Sequence, residues 1–242
     1  MPDSQRTVLV TGASRGIGAE VAVRLAGADR NVIVNYREKA RRADEIVEHI
    51  RAAGGTAMSV QADLCDESAV KAMLSTIDRL DVLVLNASGG MERGADPGYA
   101  MRINRDAQAA LARRALVKMP AGGRIVFVTS HQAHFHDTKP VPAEYEAVAA
   151  SKHAGERALK NMRAVLERDG VELVVVSGDM IEDTFVVRLL ERSNPDAVAR
   201  RRAAGPLPTV EEFAEAIVDA VDAPGMDGHT VYVGGADYLG RV

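Results

Sequence analysis

Three groups of residues combine chemical capability with suggestive spacing. The first is the stretch Thr11-Gly12-Ala13-Ser14-Arg15-Gly16-Ile17-Gly18, which follows a short β-branched run and precedes a segment of helical period. Glycine permits a tight turn and lets backbone approach a phosphate, while a helix N-terminus offers unpaired N–H groups and a positive dipole end. A strand, a glycine loop and a helix in that order form a pyrophosphate site for a dinucleotide. The second group closes the next strand-like run, Asn35-Tyr36-Arg37. An acid there would accept hydrogen bonds from an adenosine ribose and repel a 2′-phosphate. None is present; Arg37 and Arg15 instead offer two guanidinium groups to a phosphate dianion, which favours NADP(H) over NAD(H). The third group lies between Ser130 and Lys152. It holds His131, His134 and His136, then Lys139-Pro140-Val141-Pro142, then Tyr145. Three of the six histidines fall within six positions and could act as acid or base near neutral pH. Their spacing also evokes a metal site, but no carboxylate spacing supports it, and polar residues on a loop beside an active site fit better.

The elements that must position these groups alternate along the chain. Short, nearly continuous apolar runs occur at Thr7–Val10, Asn31–Asn35, Thr56–Gln61, Asp81–Leu85, Arg124–Thr129, Val171–Val176 and His229–Val233. Such runs read as strands buried on both faces. Between them, Glu20–Ala28, Ala43–Ala53, Glu67–Arg79, Tyr99–Lys118, Ala147–Arg168 and Val210–Val221 carry apolar residues at helical steps, and Thr209 with Glu212 fits a capping box. Strand–helix alternation predicts an α/β fold of about seven parallel strands with right-handed crossovers. Residues 179–208 lack a strand, carry Arg200-Arg201-Arg202, and read as an excursion over the sheet's C-terminal edge that serves as a substrate lid. Composition narrows the function classes. With 30 Lys+Arg against 34 Asp+Glu, a net charge of −4 leaves no basic surplus for nucleic acid. A lone cysteine, Cys65, rules out an intrachain disulfide framework. No apolar run is long enough to span a bilayer, and MPDSQR is not a secretory leader, so a cytoplasmic location is expected.

The stretch TGASRGIG resembles the glycine motif of the short-chain dehydrogenase/reductase family, with Gly12, Gly16 and Gly18 at that motif's spacing. The resemblance continues along nearly the whole chain. Asp63, between Ala62 and Leu64, is similar to the acid that meets the adenine amino group. Asn86-Ala87-Ser88 stands where the family has Asn-Asn-Ala-Gly. Asn104, Ser130 and Lys152 resemble the catalytic Asn, Ser and Lys, and Val231-Tyr232-Val233-Gly234-Gly235 the last strand and its glycines. The resemblance implies a single Rossmann-like, doubly wound domain over residues 1–242, an oxidoreductase acting on a small-molecule carbonyl, alcohol or acyl substrate, and assembly as a homodimer or homotetramer. Ser130 would then bind the substrate oxygen, Lys152 the nicotinamide ribose, and Asn104 a water that reconnects Lys152 to solvent. The small residues Ala109, Ala110, Ala112, Ala115, Ala149, Ala150, Ala154 and Gly155 would let the partner's helices approach.

The catalytic helix departs from the family pattern. Tyrosine is expected four positions before Lys152, where Val148 stands; Tyr145 lies seven before it. Seven helical steps turn about 700°, so Tyr145 and Lys152 share a face, with a rise of about 10 Å between them. Tyr145 is therefore the expected proton donor, with Lys152 lowering its pKa. His131, next to Ser130, is the competitor. Pro142 marks a possible helix start that would leave Tyr145 in the first turn. The seven-residue spacing also resembles that of the enoyl-thioester reductases, which makes reduction of a conjugated C=C bond an alternative. The missing tyrosine at position 148 makes a non-catalytic cofactor-binding protein another.

Overall fold

A computed structural model describes residues 5–27, 29–91, 94, 96–235 and 239. The chain runs β1 (Arg6–Val10), α1 (Gly16–Leu25), β2 (Arg30–Tyr36), α2 (Ala40–Ala52), β3 (Thr56–Gln61), α3 (Glu67–Ser75) and β4 (Val82–Leu85). It continues through α4 (Tyr99–Met101), a π-helical turn (Arg102–Asp106), α5 (Ala107–Ala115), β5 (Arg124–Ser130), α6 (His131–His134), a 3-10 turn (Ala143–Tyr145) and α7 (Glu146–Lys160). The remainder is α8 (Arg163–Asp169), β6 (Glu172–Gly178), α9 (Phe185–Ser193), α10 (Pro195–Ala203), α11 (Val210–Asp222) and β7 (Thr230–Val233). The seven strands form one parallel sheet in the order β3-β2-β1-β4-β5-β6-β7. The order reverses between β1 and β4, where Val8 pairs with both Val32 and Val82. At such a switch point the crossovers leave to opposite sides, and a crevice opens beyond the strands' C-terminal ends.

The strand alternation sorts the core into two layers. Val8, Val10, Val32, Val34, Val82, Val84, Val126 and Val128 face the layer that includes Val21, Leu25 and Ile50, together with Phe213 and Ile217 of α11. Leu9, Ile33, Leu83, Leu85, Ile125 and Phe127 face the opposite layer, with Met73 of α3, Leu111 of α5 and Leu159 of α7. Side chains at period two thus bury both faces, as the continuous apolar runs required.

Several boundaries move. The helix expected at Glu20–Ala28 opens at Gly16, because its first turn is the glycine motif itself; Ala28 lies outside the described residues. So do residues 1–4 of the stretch read as lacking a leader, and 240–242 at the end of the expected domain. The segment Tyr99–Lys118 is not one regular α-helix, since the π turn widens it at Asn104. Ala147–Arg168 divides into α7 and α8; Leu159, Met162 and Leu166 are all buried, so no hydrophobic signal marks the break. The capping box of Thr209 and Glu212 is present. Residues 179–208 fold as α9 and α10 around Met180, Val187, Leu190, Val198 and Leu207. Of their arginines, Arg201 is buried against Asp179, while Arg202 pairs with Glu182 and Glu191. Ala112, Ala115 and Ala149, offered by the sequence to a partner, are buried within this chain's own core. Among the described residues no helix is long and apolar enough to cross a membrane.

Candidate active site

The glycine loop is shaped by backbone contacts. Gly12 has φ +64°, and a Cβ there would sit 2.9 Å from Ala87 Cα. A Cβ on Gly18 would lie 2.5 Å from Asn86 Nδ2 and 2.7 Å from the Gly12 carbonyl. Any side chain would therefore push the loop off the sheet end. Arg15, at the N-cap of α1, makes no side-chain cap, and the first turn holds no acid. The unpaired N–H groups and positive dipole end of α1 are thus available to an anion, and the cradle fits a dinucleotide pyrophosphate. Ser14 and Ile17 line this turn, half-buried, and Gly16 sits at φ +54°. Thr11, which heads the glycine stretch but was given no role from sequence, ties the two sides of the switch point. Its hydroxyl donates to the Val84 carbonyl at 3.0 Å and accepts from the Asn86 and Ala87 amides at 2.9 and 3.1 Å. Asn86 Nδ2 returns a bond to the Thr11 carbonyl at 3.0 Å.

The residues proposed for the adenosine end divide into braces and crevice-rim groups. Asn35 is 2% exposed and accepts from the Gly12 amide at 3.3 Å while donating to the Ala62 carbonyl at 3.2 Å. It holds the glycine loop to the β3 end. Tyr36 packs on the core, Ala62 and Leu64 are buried, and Asp63 accepts from the Cys65 amide at 2.9 Å. Ser88 is exposed at the rim. The structure does not bring Arg15 and Arg37 onto a common partner. Arg37 donates to the Tyr99 hydroxyl, lies 5.7 Å from the centre of that ring and pairs with Glu38 at 2.9 Å. Arg15 lies 5.7 Å from the centre of the Phe185 ring on α9. Each planar, weakly hydrated guanidinium has settled on an aromatic face.

Ser130 ends β5, and Tyr145 precedes α7. Ser130 Oγ accepts from the Ala133 amide at 3.3 Å and lies 3.3 Å from the Tyr145 hydroxyl. Tyr145 is 6% exposed and closes the 3-10 turn that follows Pro142. The expected seven-step helical face is thus replaced by a turn, and the hydroxyl meets Ser130. Val148, where the family pattern expects tyrosine, packs with Ala133, Tyr145 and Ala149, against Met91, Val141 and Val186. Lys152 is buried and, among the described residues, has no hydrogen-bond or ion-pair partner; burial lowers its pKa to about 8. The expectation that Lys152 lowers the Tyr145 pKa is not met. Burial pushes Tyr145 above its ordinary value, with the Ser130 bond opposing, and Lys152 makes no contribution.

Asn104 occupies the π turn, a widening that recurs at functional sites. Its Nδ2 donates to the Gly89 carbonyl and to Ser151 Oγ, both at 2.9 Å, and its Oδ1 accepts from the Gly89 amide at 3.2 Å. Asn104 therefore links the β4 loop to the helix of Lys152. Gln108, also missed in sequence, donates to the Ala87 and Ile103 carbonyls at 2.9 Å. Only Gly155 allows this approach, since a Cβ there would lie 2.1 Å from the Asn104 carbonyl oxygen. The competing acid, His131, is committed elsewhere. It is fully buried, its Nε2–H donates to the Gly234 carbonyl at 3.2 Å, and its Nδ1 accepts from the Ser177 hydroxyl at 2.8 Å. Among the described residues no group of three or more His, Cys, Asp or Glu side chains could hold a metal ion.

Comparison with known proteins follows the same geometry. The family model described as short chain dehydrogenase matches residues 6–194. A hydroxynaphthalene reductase of Aspergillus fumigatus is 36% identical over 142 residues, which is 54% of this chain and 51% of that enzyme, so the match spans about half of each. A 1-cyclohexenylcarbonyl-CoA reductase of Streptomyces collinus is 29% identical over 250 residues, 96% of this chain and 87% of that one. Among solved structures, the angucycline C-6 ketoreductase LanV with bound NADP superposes with a TM-score of 0.78 at 26% identity, covering 95% of this chain and 94% of that one.

Proposed function

From the premise that this chain belongs to the short-chain dehydrogenase/reductase family of oxidoreductases, we propose that it is an NADP(H)-dependent reductase of ketones on apolar substrates. The observation that carries this reading is the pairing of Ser130 Oγ and the Tyr145 hydroxyl at 3.3 Å at the C-terminal end of β5. Two hydroxyls at that separation can share one carbonyl oxygen, Ser130 orienting it and Tyr145 protonating it as negative charge develops. The raised Tyr145 pKa suits this direction, because an acid that stays protonated can give its proton to an alkoxide. The glycine loop, Asn86, Ala87 and Lys152 would hold the dinucleotide, with Arg15 and Arg37 at its 2′-phosphate; the cofactor supplies hydride when bound. An apolar substrate is favoured by the Val148, Met91, Val141 and Val186 surfaces around Tyr145. In this reading α9 and α10 form the lid, and NADP bound to a similar ketoreductase supports the choice of cofactor.

Tyr145→Phe should lower turnover on aromatic ketones by about 100-fold, the scale of lost general-acid catalysis, with NADPH affinity little changed. Near-full activity of this variant would remove Tyr145 from the mechanism. A second reading, reduction of a conjugated C=C bond, draws on the near full-length match to a reductase named for an unsaturated acyl-CoA. There Tyr145 would stabilise an enolate oxygen. Enoyl thioesters in the same NADPH-oxidation assay separate the two readings.

A further inference from the structure

The turn that carries Tyr145 is fastened through the next residue. Glu146 opens α7, and its Oε1 lies 2.7 Å from His136 Nε2. His136 Nδ1 faces Asp137 Oδ1 at 3.4 Å. Both partners are carboxylates, so only an imidazolium, with a donor on each nitrogen, makes the two contacts together. Asp137 is shared, its Oδ2 lying 3.1 Å from His153 Nε2 and 4.0 Å from Arg157. His153, next to Lys152, donates its Nδ1–H to the Ala133 carbonyl at 2.9 Å, and its ring lies 5.6 Å from that of His136. The charged and titratable groups around His136 are therefore Asp137 from its own loop and Glu146 and His153 from α7, with Arg157 beyond Asp137.

We infer that His136 is a positioning residue for Tyr145, holding Glu146 as an imidazolium and so fixing the turn that sets the tyrosine hydroxyl beside Ser130. The hydrogen bond to Glu146, and after it the one to Asp137, raise the His136 pKa. With a raised folded value, this contribution is full below the ordinary histidine value and is lost as pH rises through the shifted one. The Glu146 side chain is 52% exposed and that of His136 22%, so the effect is modest.

The inference rests on Tyr145 being the proton donor, and the test keeps the two apart. The kcat for ketone reduction at saturating NADPH is measured across pH for wild type, His136→Ala, His136→Arg and Tyr145→Phe. Amide-exchange protection of residues 143–148 is measured alongside. Ratios of variant to wild type cancel the titration of Lys152 near 8. His136→Ala should lower kcat about threefold at low pH, with the deficit closing as wild-type His136 deprotonates and KM little moved. His136→Arg, charged throughout, should retain kcat and protection where wild type loses them. A His136→Ala ratio that is constant with pH, with protection unchanged, overturns the inference. Should Tyr145→Phe remain active, the donor assignment falls. In that case, wild-type protection of 143–148 that does not change with pH overturns the inference by itself.

Discussion

The two sides of the crevice are built by different means. Around β1, β2 and β4 the loops are held by glycine contacts and by neutral groups: the Thr11 hydroxyl and the amides of Asn35 and Asn86. None of these ionises near neutrality. Around β5 and α7 the corresponding work falls largely to Tyr145, His136, His153, Asp137 and Glu146, all of them titratable. The loops on the dinucleotide side are therefore held by packing and by hydrogen bonds that carry no titratable group. On the β5 and α7 side, His136, Glu146, Asp137 and His153 join loop to helix through titratable groups, and the expectation is that charge tunes its geometry.

The largest expected effect lies where the second side borrows the device of the first. Gly155→Val sets a branched Cβ against the Asn104 carbonyl, 2.1 Å away, and should cost about 3 kcal/mol or more in urea denaturation. Gly155→Ala is the sharper probe, because helix propensity alone would make it about 1 kcal/mol more stable. A stabilised Gly155→Ala protein would show that this contact does not set the approach of α7.

Lys152→Met comes next. Burial lowers the lysine from 10.5 to about 8, so the unfolded chain holds the proton more tightly between those values. The folded state is penalised at pH below about 8, and the penalty is relieved as pH rises toward 10.5. Removing the ammonium should raise stability by up to about 3 kcal/mol at neutral pH, with the gain vanishing at the alkaline end, while turnover falls. Denaturant titrations at the two pH values check this.

On the dinucleotide side, Arg37→Asp should weaken NADPH relative to NADH by about 2 kcal/mol, read by cofactor fluorescence titration. Equal affinity of the wild-type protein for the two cofactors would remove the 2′-phosphate role. The smallest effect is that of Asn35→Ala. It leaves the Gly12 amide and the Ala62 carbonyl without their partner, at a cost of about 1–2 kcal/mol. This loss should be the same at acidic and alkaline pH, in contrast to that of His136→Ala. A pH-dependent Asn35→Ala would break the distinction between the two sides.

The sheet was legible in the sequence because a strand buried on both faces must be apolar throughout, as in Val82–Leu85, and because alternation with helices forces parallel crossovers. The glycine loop was legible for a related reason, since Gly12 and Gly18 meet backbone at distances no side chain tolerates, and only one residue type can stand there. Local sequence thus determined the strands and the glycine loop, and it offered Ser130, Asn104 and Lys152 as candidates for one site. Tertiary structure decided what depends on contacts distant in sequence. Tyr145 shares no regular helical face with Lys152, because the turn after Pro142 delivers its hydroxyl to Ser130 instead. His131, adjacent to that serine in sequence, turns away to Ser177 and Gly234, partners 46 and 103 positions along the chain. The pKa of Lys152 is likewise set by the burial of α7, a property of packing that residue spacing does not encode.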